Sequence, residues 1–284
     1  MSPRDVLLAS IVVVIWGVNF IVVKLGTAEL PPFLLSSLRF ILVAALVCPF
    51  RRLPRAILGK TALLALTLGV GHFGLLFCGI RLLDTASAAI TIQLGVPFSA
   101  LIGALALKEH PGWHGMTGIA LAFAGVALLA GEPTQPSLAG IAIVVMAALD
   151  WALANLLIKK IGPVDSLALN GWTALFSVPM LLSMSLIFEH DQIGAIQAAG
   201  WAGWGAMAYT AFGASLVAYT LWYSLIARLP MSQVVPFTLL GPVISVACGV
   251  LLLGESLSWH KLAGGVLTVL GVAVVQFKPQ RAAG

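Results

Sequence analysis

The 284-residue chain is 60% hydrophobic and only 9% charged, with a formal net charge of +5 and a mean hydropathy of +1.06. A soluble domain carries about 25% charged residues, so these values exclude a water-facing globule, and the basic residues sit in short spacers, which argues against a nucleic-acid binder. Cys48, Cys78 and Cys248 are scattered with no CxxC spacing, which speaks against a disulfide framework or a metal site.

Apolar runs recur along the whole sequence, each long enough to cross a hydrocarbon core of about 30 Å as a helix. The predicted spans are 6–25, 33–50, 60–80, 85–107, 113–131, 138–158, 167–188, 203–225, 232–253 and 259–277. The first resembles a secretion signal. It is too long for that and is followed by Asn19, Lys24 and Glu29 without a small-x-small cleavage site, so it reads as an uncleaved helix. Within it Trp16 and Asn19 lie three apart and share a face. The second span carries Arg39 about six residues, or roughly 9 Å, from one end. Its side chain can snorkel to the interface, bind a carboxylate or pair with an acid, and the reading adopted is a gating or structural role. The third holds His72 in GVGHFG, where glycines leave room for an approaching group.

In the fourth span Pro97 frees the carbonyl of Gln93, and in the ninth Pro242 frees that of Thr238. Part-unwound helices at corresponding points of two halves point to a substrate site; a packing kink satisfied by Ser99 or Ser245 is the alternative. The sixth span contains Asp150, Trp151 and Asn155, and the eighth contains Tyr219, Trp222 and Tyr223. An intramembrane carboxylate must be paired, protonated or hydrated, so Asp150 and His72 are the candidates for proton coupling. Asparagine offers donor and acceptor to a zwitterion, and indole supplies an apolar wall. The opposing view is that each asparagine bonds a neighbouring helix. Trp113, Trp201, Trp204 and Trp259 lie near span ends, as interface anchors do.

Lysine and arginine fix a direction. One side holds Arg4, Arg51, Arg52, Arg55, Lys60, Lys108, Lys159, Lys160, Arg228, Lys278 and Arg281, whereas the other holds only Lys24, Arg81 and Lys261. This bias places both termini in the cytoplasm and requires an even number of crossings.

EHPGWHGMTGIALAFAGVALLAG (109–131) matches ESLSWHKLAGGVLTVLGVAVVQF (255–277) at one offset, pairing Glu109 with Glu255, Trp113 with Trp259, Gly118 with Gly264 and Gly125 with Gly271. Asn19 meets Asn155, and Tyr219 meets His72, at similar offsets. The expected fold is therefore all-α and integral to the membrane, ten helices in two inverted five-helix repeats, residues 1–134 and 135–284. Five is odd, so the second repeat starts from the opposite face, as in transporters that alternate access to a midplane site.

The W-G-x-N-F at 16–20, the L-R-F at 38–40, the Gly-Glu at 254–255 and the duplicated plan resemble the EamA family of the drug/metabolite transporter superfamily. The first Gly-Glu departs to Lys108-Glu109. The N-terminal stretch and LLFCGIRL (75–82) are similar to the branch exporting cysteine-pathway metabolites and other amino acids. That resemblance implies a secondary exporter in a bacterial inner membrane, with a small-molecule substrate and the lipid bilayer as partners; the substrate either runs downhill by itself or exchanges for an entering proton. Export of drugs, organic cations or nucleosides is the alternative within transport. Outside it, neither an intramembrane protease motif (HExxH) nor a nucleotide-binding GxxxxGK[ST] occurs. Neither an enzyme nor an ATP-driven pump is expected, and no cofactor or metal. The expected substrate-binding set is Trp16, Asn19, His72, Gln93, Trp151, Asn155, Tyr219, Trp222 and Thr238.

Overall fold

The computed structural model describes residues 2–107, 112–132, 137–162, 164–228 and 235–276. All elements among the described residues are helical. In chain order they are α1 (Pro3–Glu29), α2 (Pro32–Val47), α3 (Arg55–Leu82), α4 (Thr85–Ala106), α5 (Gly112–Ala130), α6 (Leu138–Ile161), α7 (Ser166–Phe188), a short α8 (Gln192–Ala198), α9 (201–228), α10 (Phe237–Leu253) and α11 (Trp259–Gln276). Seven of these (α1, α3, α4, α5, α6, α7 and α11) are long and apolar enough to cross a membrane, and α2 and α10 are shorter apolar helices. α9 has the length as well, and the side chains of several residues near its end lie outside the described ones.

Helix starts follow from local chemistry. Ser2 and Asp5 form a capping box on α1, and prolines at the first positions of α1 and α2 occupy sites where an N–H would go unused. The side chains of Asp84, Ser137 and Asp165 accept the first free N–H groups of α4, α6 and α7. Gly162 (φ 82°) and Gly254 (φ 66°) close α6 and α10 in left-handed backbone that glycine adopts without strain. α8 lies where the sequence reading had only a loop; Asp191 starts it by accepting from the Gly194 N–H at 3.2 Å. The expected boundary at 134/135 and the Lys108-Glu109 pair lie outside the described residues.

Two distortions occur at matching places. α3 widens to π-helical bonding over Ala65–Gly74, and α9 does the same over Tyr209–Ala218. α4 tightens to a 3-10 turn at Ile92–Leu94, and the same geometry over Val235–Leu239 leads into α10. Each 3-10 turn lies just ahead of a buried proline, Pro97 or Pro242, which has no N–H for the regular helical bond. Neither serine named as a local remedy bonds the freed carbonyl: Ser99 donates to Gly95 O at 2.7 Å and Ser245 to Gly17 O at 2.8 Å.

α5 and α11 pack antiparallel with their backbones touching. A Cβ on Gly118 would lie 2.7 Å from Gly271 O, and one on Gly125 would lie 2.6 Å from Gly264 O. The contacts are reciprocal, because Cβ atoms on Gly264 and Gly271 would come 2.7 and 2.6 Å from Gly125 O and Gly118 O. The glycines that match by sequence offset thus exchange partners across one contact. Without a water-driven hydrophobic force between helices in lipid, such close packing supplies much of the attraction.

Candidate functional site

The interior is organised around aromatic side chains from four helices. The Trp16 ring on α1 lies 5.3 Å from those of both Tyr219 and Trp222 on α9. Tyr219 meets Phe73 of α3 edge-on at 6.2 Å, and Phe73 meets His72 at 4.7 Å and Phe40 of α2 at 5.7 Å. Trp16, His72, Tyr219 and Trp222, four of the expected substrate-binding residues, therefore lie in one connected group of rings. Phe73, which joins them, went unnoticed: a phenylalanine in an apolar helix carries no signal distinguishing it from lipid-facing neighbours.

Asp150 on α6 packs against Gly71, one residue from His72; a Cβ on that glycine would lie 2.5 Å from the carboxyl carbon. Among the described residues no hydrogen bond or ion pair reaches Asp150, so an internal pair with a basic side chain is not formed. The glycines around His72, read from sequence as space for a ligand, are filled instead. Gly71 accommodates Asp150, Gly69 accommodates Ser177, and Gly74 lies against Leu181 and Phe33. His72 itself is buried, with Nδ1 3.0 Å from Ala147 O.

Asn19 is partly buried on α1, and its Oδ1 has no partner; the Nε2 of Gln93, in the 3-10 turn of α4, is likewise buried and unsatisfied. Trp151 packs on Gly95, two residues from Gln93, where a Cβ would clash with the indole at 2.7 Å. Asn155, one turn further along α6, makes no hydrogen bond among the described residues. Thr238 lies in the 3-10 turn that opens α10 and is partly buried. Asn19, one turn from Trp16, lies on α1, while Gln93, Asn155 and Thr238 lie on α4, α6 and α10. Asparagine and glutamine atoms left unpaired in an apolar interior cost about 1–3 kcal/mol each. A polar ligand removes that cost.

Arg39 does not snorkel. It is 1% exposed, donates from Nε to Ser215 Oγ at 3.0 Å, and stacks its guanidinium carbon 4.1 Å over Phe73 and 4.6 Å over Phe40. Trp113, Trp201 and Trp259, by contrast, are 70%, 83% and 75% exposed at the starts of α5, α9 and α11, where interface anchors belong.

One end of the bundle is tied shut by carboxylates. Glu29, ending α1, accepts from the Gly200 and Gly203 N–H groups at the start of α9 at 3.0 and 2.6 Å. Glu189, ending α7, accepts from Phe33 and Leu34 at the start of α2 at 2.7 and 3.1 Å. Glu255, after α10, accepts from Thr85 N at the start of α4 at 2.8 Å. Each places negative charge at a helix N-terminus, where dipole and free N–H groups favour it. On the same face Lys24 donates to the carbonyls of Ile80, Arg81 and Leu83, and Lys261 pairs with Asp84 at 3.2 Å. In the sequence Glu255 stands out only as a repeat and motif residue, and nothing there singles out Glu29 or Glu189. Beside this network a surface pocket of about 230 Å³ opens between Thr27, Glu29, Arg81, His190 and Asp191. The opposite face holds the exposed Arg51–Asp165 pair at 3.2 Å.

The EamA-like transporter family matches residues 4–131 and again 138–277. A probable amino-acid metabolite efflux pump of Salmonella typhimurium is 34% identical over 98% of this chain and 96% of its own length. The protein of the same description from Escherichia coli is 32% identical over the same shares. A solved crystal structure superposes over 96% of both chains with a TM-score of 0.65 at 18% identity, which shows a shared fold.

Proposed function

The chain belongs to the EamA-like transporter family, and from that premise we propose that it exports amino acids or related small metabolites by alternating access. Membership makes it a multi-pass membrane transporter of small metabolites and not an enzyme. The relatives described as amino-acid metabolite efflux pumps support the narrower substrate class.

The observation that carries the reading is the aromatic group of Trp16, Tyr219, Trp222 and Phe73, with the Asp150 carboxylate packed on Gly71 next to His72 and the unsatisfied Asn19 amide one turn from Trp16 on α1. Such a combination offers apolar walls with a few converging polar groups, which is how small-molecule sites are built. The two family matches, the paired π-helical and 3-10 distortions and the reciprocal glycine contact support two repeats of five crossings, 1–134 and 135–284, with α2, α9 and α10 completing ten. The repeats run in opposite directions, so either face can open around the shared site. The face tied by Glu29, Glu189 and Glu255 is the outer one under the positive-inside assignment, with both termini in the cytoplasm of a bacterial inner membrane.

The test is uptake of a labelled metabolite panel into inverted vesicles carrying the protein, with and without an imposed pH gradient. Uptake of amino acids above empty vesicles is expected. Uptake confined to organic cations favours the second reading, for which the observation is the Asp150 carboxylate, without a partner among the described residues and packed on Gly71 next to His72.

A further inference from the structure

We propose that Arg39 is the anchor for a carboxylate on the transported molecule, a proposal that rests on the export reading and fixes the chemistry of its cargo. A guanidinium in a membrane interior is among the most expensive groups to bury, and such residues pair with an acid or serve a substrate path. Arg39 is shut off from water at 1% exposure, yet no acid among the described residues bonds to it.

What holds Arg39 leaves its recognition edge unspent. Phe73, Phe40 and Phe77 lie 4.1, 4.6 and 5.6 Å from the guanidinium carbon. A ring beneath the guanidinium engages its face, whereas the N–H groups point outward in its plane and remain free for an acceptor. Nε is fixed by Ser215 Oγ, whose own hydroxyl donates to Thr210 O at 2.9 Å, so the serine is turned to accept. Nη1 is buried with no partner at all. A planar carboxylate is the acceptor that fits a fork held in this way.

The position suits the cargo. The Phe73 ring beneath Arg39 also touches His72 and Tyr219. Asp150 lies against Gly71, two residues from Phe73 on the same helix. A molecule seated on the Trp16–Tyr219 side meets a fixed cation on the α2 side and an unpaired carboxylate on the α6 side, the charge arrangement of an α-amino acid. Loading requires the Phe73–Tyr219 ring contact to part.

The experiment measures thermal protection of the purified, detergent-solubilised protein by L-methionine, L-phenylalanine and L-cysteine, each beside its methyl ester. A charge-assisted hydrogen bond in a dry site gives at least about a tenfold preference for the acid over the ester. Arg39→Gln is expected to bring that ratio to about one while ester binding stays. Arg39→Met, apolar and suited to the phenylalanine cage, is the second variant and is expected to do the same. An undiminished acid preference in either folded variant, or no acid preference in the unaltered protein, overturns the proposal. Failure of both variants to fold also overturns it, in favour of a purely structural Arg39. If acids protect the protein through Arg39 but none crosses the membrane in the vesicle assay, the export reading fails and the anchor stands.

Discussion

Replacing Gly271 with alanine tests whether α5 and α11 are held by backbone contact. The added Cβ would lie 2.4 Å from Ala122 N, 2.6 Å from Gly118 O and 2.9 Å from Ala122 Cα. All three atoms are main chain, so no side-chain rotation relieves the clash, and the helices must separate by most of an ångström. Overpacking of this kind costs about 1–3 kcal/mol, against a gain of about 1 kcal/mol for replacing glycine in a helix. Separation also weakens the neighbouring contacts of Gly118, Gly125 and Gly264, which places the net loss toward the upper end of that range. Gly205→Ala in α9 is the control, since nothing lies within 4 Å of its Cβ and only the helical gain applies. The assay is thermal unfolding of both variants in detergent. A Gly271→Ala protein as stable as the original refutes the close-packed interface, and a destabilised Gly205→Ala protein undermines the reasoning from Cβ clearance.

Asp150→Asn keeps size and removes charge; it is expected to abolish accumulation driven by a pH gradient while some substrate counterflow persists, and full gradient-driven accumulation rules Asp150 out as the coupling acid. Asn19→Leu and Asn155→Leu are each expected to impair transport in folded, inserted protein, whereas unaltered transport with lower thermal stability assigns that residue to helix packing. Glu255→Ala strips the Thr85 and Ala86 N–H groups of their acceptor and is expected to lower stability by about 0.5–2 kcal/mol, read by the same unfolding assay; no change shows that water replaces the carboxylate freely. A cysteine placed at Gln192 in α8 is expected to react with an impermeant reagent in intact cells, and protection there contradicts the orientation with cytoplasmic termini.

Helices and their limits were written in the sequence because, in lipid, a helix satisfies its backbone hydrogen bonds within its own segment. Apolar length, the capping groups Ser2, Asp84, Ser137 and Asp165, and terminal glycines are all local, so the predicted spans fall on helices among the described residues, seven of which are long and apolar enough to cross a membrane. The two family matches have a local trace for a similar reason: matching positions such as Gly118 and Gly264 keep their identity along the chain. Rotation of each helix about its axis was not legible. A helix with lipid on one side and apolar neighbours on the other has no hydrophobic stripe to reveal which face turns inward. Arg39 thus reads equally well as a snorkelling residue or an interior one, and nothing separates Phe73, a lipid-facing ring by pattern, from one packed among Arg39, His72 and Tyr219. Tertiary packing decided both, because residues 16, 39, 73, 150 and 219 become neighbours only when five helices fix their rotations against one another.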